Sequence, residues 1–196
     1  METVEIIFSP TGGTEKVAQI IAQQWNENTK RIDLSSSKTD FSQYIINDDD
    51  RVVIAMPVFG SRPPAVAVDR LKQIKGNGAE CTVICVYGNG AYADSLSEMK
   101  DAAEESGFQV TSAIAAIAQH SIIPKYASGR PDEKDIKQLS DFAEEIKNKT
   151  GKITSDLYNQ PEETEEQSEP EAPSSPPLPE PNESCIECGS CARSCL

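Results

Sequence analysis

Two short stretches of this chain hold residues whose types and spacing could do chemistry. Residues 9–14 read SPTGGT and residues 185–195 read CIECGSCARSC. In the first, Ser9, Thr11 and Thr14 supply hydroxyls, while Gly12 and Gly13 leave the backbone N–H groups accessible. Hydroxyl and amide donors without a cation suit a terminal phosphate monoester, and a helix N-terminus behind them would add its positive dipole end. The stretch lacks the lysine and spacing of G-x-x-x-x-G-K-[ST], and it is not the dinucleotide pattern G-x-G-x-x-G. The plainer alternative is an ordinary turn in which Thr11 or Thr14 caps a helix.

In the second stretch, Cys185, Cys188, Cys191 and Cys195 follow C-x2-C-x2-C-x3-C. Thiolates spaced by three can hold three irons of one 4Fe-4S cubane. In this run the fourth cysteine normally serves a second cluster. No second run occurs in the sequence, and Leu196 stands where a proline usually follows. Zinc would favour two separated cysteine pairs over one continuous run. Three readings stay open: a truncated stub, closure of one cluster by Cys195, or ligands from a second chain. Cys81 and Cys85, in ECTVICVYG, read instead as small core residues.

These stretches need elements to position them. VEIIF (4–8), TKRIDLS (29–35), RVVIAMPVFG (51–60), CTVICVYG (81–88) and FQVTSAIAAI (108–117) read as five strands. Between them, TEKVAQIIAQQW places Val17, Ile20, Ile21 and Trp25 on one helical face. Further helices are expected at about 64–74, around Leu96, Met99 and Ala103, and over 132–149, where Ile136, Leu139, Ala143 and Ile146 are in register. Strands alternating with helices predict an α/β fold, a doubly wound five-stranded parallel sheet with helices on both faces. Strands buried on both sides are expected to lack period-2 alternation. Ligands in such folds sit beyond the carboxyl ends of the strands, so the loops after strands 1, 3 and 4 should meet.

After residue 151 the pattern dissolves. Residues 152–184 are rich in Pro, Glu and Ser, the composition of a disordered or polyproline-like linker. The expected organisation is a domain over 1–151, this linker, and a cluster segment over 185–196. Net charge is −14, of which residues 160–196 carry −8. A polyanion is a poor partner for nucleic acid or an anionic membrane, whereas basic redox proteins would be steered to it. No apolar run reaches the roughly 18 residues of a membrane span. The first residues do not read as a signal peptide, so a cytoplasmic location is expected.

S-x-T-G-x-T after a first strand resembles the phosphate loop of flavodoxins, which bind FMN. The loops after strands 3 and 4, PVFGSRPP and YGNGAYADS, then resemble the pair that sandwiches the flavin ring. VYGNGAYADSL, AQHSI and SGRPDEKD are similar to stretches of the flavodoxin–ferredoxin fusion proteins of anaerobic bacteria. The resemblance implies that Ser9, Thr11, Gly12, Gly13 and Thr14 hold the phosphate of FMN. It implies that Pro57, Val58, Phe59, Gly60, Gly88, Asn89, Gly90, Ala91 and Tyr92 contact the isoalloxazine, with Phe59 and Tyr92 suited to stack on it. Cys185, Cys188, Cys191 and Cys195 would be the iron–sulfur ligands. The chain departs from the family at Gly90, where members often carry a basic residue, and in ending before a second cysteine run.

The remaining candidates are weaker. His120, the only histidine, follows strand 5 near the ligand edge and reads as structural, with a role beside a flavin as the alternative. Arg62 is expected to face water, Trp25 to join the core and Asp94 to cap a helix. The leading expectation is an electron-transfer flavoprotein with a 4Fe-4S relay. The alternatives are an FMN-dependent reductase of a quinone or other small acceptor and a flavin-less interaction module.

Overall fold

The computed structural model describes residues 1–26 and 28–148. The linker and the cysteine run expected at Cys185, Cys188, Cys191 and Cys195 lie outside the described residues.

Five strands, β1 (Thr3–Ile7), β2 (Thr29–Asp33), β3 (Arg51–Pro57), β4 (Glu80–Tyr87) and β5 (Gln109–Ile117), form one parallel sheet in the order β2-β1-β3-β4-β5. The helices are α1 (Gly13–Trp25), α2 (Ala65–Leu71), α3 (Ser95–Glu105) and α4 (Glu133–Asn148), with a short 3-10 turn at Phe41–Gln43. This is the doubly wound five-stranded parallel α/β fold, with helices on both faces, expected from the alternation of strands and helices. None of the described helices is long and apolar enough to cross a membrane.

Successive residues of the central strands bury into two separate cores, one on each face. Val52, Ile54 and Met56 join Cys81, Val83, Cys85, α2 and α3, while Val53, Ala55, Ile84 and Val86 join α1 and α4. Helix α1 contributes Val17, Ala18, Ile21 and Ala22, and α4 contributes Leu139, Ala143 and Ile146. Cys81 and Cys85 are buried free thiols; desolvation pushes the Cys85 thiol up to about 12 and raises Cys81 as well. Neither is a thiolate nucleophile at neutral pH.

Strand β5 departs from the expected continuous burial. Its residues alternate between buried and half-buried along the whole strand, and it is an edge strand with β4 as its one neighbour. The pairing register shifts between Cys81 and Thr82, so Thr111 is the extra residue of a bulge. Helix α2 stops at Leu71, short of the expected Ile74. Trp25 is half-buried, donates its indole N–H to the Ala143 carbonyl at 2.8 Å, and lies under the Arg51 guanidinium.

Strand β1 carries one charge into the interior. The Glu5 side chain is 0% exposed, and its Oε2 accepts from Arg31 Nε at 3.0 Å and Nη2 at 2.9 Å. Arg31 also reaches Glu15 at the start of α1. Glu5 Oε1 has no partner among the described residues.

Candidate functional site

Beyond the carboxyl ends of the strands the connecting loops enclose a cavity of about 230 Å³. Its floor continues the ladder past the strands: Phe8 N–H donates to Ala55 O, Val58 N–H to Val86 O, and Ala118 N–H to Tyr87 O, all at 2.9–3.0 Å. Strands β2 and β3 flank β1 on opposite sides, so the strand order reverses between β1 and β3, and the space outside that switch is where open α/β sheets bind ligands.

The first wall is the loop into α1. Gly12 is the N-cap residue with φ 83°, and no side chain caps the helix from that position. An L-residue would be strained there. The Ser9 hydroxyl accepts from Glu15 N–H at 3.0 Å, and Lys16 N–H bonds Gly12 O. The N–H groups of Gly13 and Thr14, which both line the cavity, have no acceptor among the described residues. Capping by Thr11 or Thr14 is therefore not what this helix uses. Its first-turn donors point to an outside acceptor instead, the donor set that an anion fits.

The second wall is the turn after β3. Pro57, Val58, Phe59 and Gly60 all line the cavity, and Phe59 is 50% exposed. Phe59 and Arg62 pair through their backbones, and Ser95 Oγ donates to the Ser61 carbonyl, tying this turn to α3. Three non-glycine residues of these loops adopt positive φ: Ser61 (66°), Asn89 (68°) and Ala93 (41°). Left-handed non-glycine backbone of this kind gathers at ligand clamps and switch regions.

The loops after β4 and β5 complete the site. Gly88 lines it beside Val86 and Tyr87, and Ala118, Gln119, His120, Ser121 and Ile122 form a wall from the β5 side. A Cβ on Gly88 would lie 2.7 Å from His120 Cδ2, so the glycine is what lets these two loops touch. Burial raises the Tyr87 phenol above its ordinary value, with the neighbouring Tyr92 and Cys85 adding to the shift. Among the described residues that line it, no side chain is a carboxylate, lysine or arginine. The cavity thus offers neutral donors, glycine backbone and an aromatic edge.

Of the residues singled out from the sequence, Thr11, Gly13, Thr14, Pro57, Val58, Phe59, Gly60 and Gly88 are brought together around this space. Ser9, Gly12, Asn89, Gly90, Ala91 and Tyr92 are not among its lining residues. Tyr92 is only 8% exposed and packs against Tyr87 with ring centroids 5.3 Å apart, within the core on the α2–α3 side. It supports Tyr87 rather than offering a free face. Arg62 is paired, its Nε 2.8 Å from Glu98 Oε1, although its side chain is 72% exposed. Asp94 occupies the N-cap position of α3 without a side-chain capping bond. The β5 wall is what the local sequence left out, apart from His120 itself. Its signal was the histidine just after an apolar strand.

The sequence matches no established family profile and no curated protein. Solved structures share the fold. Oxidised flavodoxin 1 from Bacillus cereus superposes with a TM-score of 0.58 at 18% identity, over 76% of this chain and 100% of that one. The flavodoxin of Streptococcus pneumoniae TIGR4 gives 0.52 at 19% identity, over 74% and 97%. An NADH:FMN oxidoreductase in its apo form gives 0.53 at 12% identity, over 74% and 88%. At these identities the likeness defines the architecture, a flavodoxin-like α/β domain, and carries no residue roles.

Proposed function

We propose that this chain binds FMN at the carboxyl edge of its sheet and serves as an electron-transfer flavoprotein. The observation that carries the reading is the start of α1. The N–H groups of Gly13 and Thr14 lack acceptors among the described residues, and both residues line a cavity walled by glycine-rich loops. Those donors, with the hydroxyls of Thr11 and Thr14, hold the phosphate. Phe59 supplies an aromatic face beside the ring, and Gly60 and Gly88 keep side chains out of its path. Bound FMN supplies a centre that takes up two electrons together and releases them one at a time. Among the described lining residues no carboxylate competes with the phosphate.

The finer reading adds a 4Fe-4S relay on Cys185, Cys188, Cys191 and Cys195, supported by the C-x2-C-x2-C-x3-C spacing. The net charge of −14 favours partners with basic docking surfaces. A second reading, an FMN-dependent reductase of a small acceptor, is favoured by His120 in the cavity wall. The NADH:FMN oxidoreductase of the same fold adds support.

Anaerobic purification followed by absorption spectra and FMN, iron and sulfide analysis tests these readings together. FMN at one per chain is the expected result. A colourless protein that does not take up added FMN overturns the flavin reading in favour of an interaction module. Iron and sulfide in equal amounts support the relay, and their absence removes it. Steady turnover of NAD(P)H with a quinone would favour the reductase.

A further inference from the structure

His120 is held more tightly than a wall residue needs to be. Its Nδ1 accepts hydrogen bonds from the backbone N–H groups of both Ile122 and Ile123, each at 3.1 Å. Its backbone N–H donates to Tyr126 O at 3.1 Å, and its ring packs near the Tyr126 ring. The Cδ2 edge lies against Gly88, within 2.7 Å of where a Cβ would stand. An imidazole nitrogen that accepts two N–H bonds cannot carry a proton, so the neutral ring is fixed with its proton on Nε2. With the Nδ1 edge facing the 122–123 backbone and Cδ2 facing Gly88, the Nε2–Cε1 edge is the part left for the cavity, which His120 lines.

We propose that His120 is a positioning residue whose single Nε2–H donor is presented from the β5 wall to an acceptor atom of the bound flavin. This rests on the FMN reading above. The lining set makes the role chemically distinct. The phosphate side offers backbone amides and threonine hydroxyls, and the β3 and β4 walls offer an aromatic face, glycine backbone and the Tyr87 phenol. Among the described lining residues His120 is the only nitrogen-ring donor, and its tautomer is set by the backbone rather than by the ligand. A donor fixed in advance costs no reorganisation when the ligand arrives.

Because the chain has one histidine, nitrogen-15 NMR of the imidazole reads this site without ambiguity. At about pH 8, where an imidazole is ordinarily neutral, we expect Nδ1 to resonate as unprotonated and Nε2 as protonated before FMN is added. Titration with FMN should move Nε2 and leave Nδ1 in place. Two variants separate donor from scaffold. In His120→Asn the amide oxygen can replace Nδ1 as acceptor for the N–H two residues on, but nothing reaches the cavity. We expect the melting temperature to stay near that of wild type while FMN affinity falls about tenfold. In His120→Gln the longer amide restores a donor near Nε2, and affinity should return to within about threefold of wild type.

The opposite tautomer, an Nε2 signal unmoved by bound FMN, or equal FMN affinity in His120→Asn and wild type each overturns this inference alone. A wild-type chain that takes up no FMN overturns the flavin reading and this inference with it.

Discussion

Helices α1 and α4 pack side by side on one face of the sheet, yet they begin in opposite ways. At the start of α4 the acceptors are supplied from within, and among the described residues only the first N–H, that of Glu133, lacks one. Asp132 Oδ1 accepts from Lys134 N–H at 2.9 Å and Asp135 N–H at 3.1 Å, and Asp132 O takes Ile136 N–H. Asp135 Oδ2 returns a bond to Asp132 N–H and is gripped by the Arg130 guanidinium. At the start of α1 a left-handed glycine stands where a capping side chain would be, and two N–H groups face a cavity. One terminus is closed for stability and the other is left incomplete for a ligand. A helix start without a side-chain cap at its N-cap position, next to one that has such a cap, shows that the omission is local rather than a general looseness of the fold.

The contrast can be broken most forcefully with Gly13→Asp. A Cβ there meets only Ala118 Cβ at 3.8 Å, and an acidic side chain suits the dipole of a helix start. Thermal stability should hold or rise, while FMN affinity drops about a hundredfold or more through charge repulsion with the phosphate. Calorimetric binding and a melting curve on the same sample check both halves. If affinity survives, the α1 terminus is not the phosphate site.

Thr14→Val sharpens the same point with less force, removing the hydroxyl of a buried side chain while keeping its shape. Fluorescence titration should show FMN binding weakened by about tenfold, the loss of one hydrogen bond to a charged group. Denaturant stability should change little.

Asp132→Ala attacks the other terminus. Loss of the cap should cost about 1 kcal/mol, read from the urea midpoint, with FMN affinity unchanged within about twofold. A parallel loss of FMN binding would mean that the two helix starts are not independent.

The smallest effect concerns acid. The hydrogen bond from Arg130, opposed by desolvation and aided by Asp132, holds the Asp135 carboxyl below its ordinary value. A depressed carboxyl contributes stability that is present above the unfolded value near 4. That contribution is lost as pH falls through the lower folded value. Urea midpoints measured from about pH 6 to pH 2 should show Asp135→Asn less stable than wild type at the upper end. The two should converge at the acid end. A gap that persists in acid would mean that the carboxylate charge is not what Arg130 holds.

Much of the fold was legible because the central strands are short apolar runs and the helices carry clear stripes, as with Val17, Ile21 and Ala22 in α1. The loops at residues 9–14, 57–60 and 88–92 could be named from their glycines and hydroxyls, although of the last only Gly88 lines the cavity. Other features depend on contacts between residues far apart in sequence. Burial of Tyr92 depends on Tyr87 and the α2–α3 core, and the β5 wall reaches the cavity only because β5 pairs beside β4. The place of β5 at an edge of the sheet is likewise something no local pattern specifies. The role of Ser9 was also hidden, since its hydroxyl serves an amide six residues ahead.

The buried Glu5 gives the opposite edge of the sheet its own logic. Strand β2 inserts one fully buried residue, Ile32, and leaves Lys30, Arg31 and Asp33 exposed, so apolar area alone barely decides how it aligns. Pairing Glu5 with Arg31 decides it. A shift by one residue would strand the carboxylate in the interior without its guanidinium, a penalty of about 3–5 kcal/mol. The ion pair therefore works as an address: it rejects wrong alignments of a strand too polar to find its place by burial.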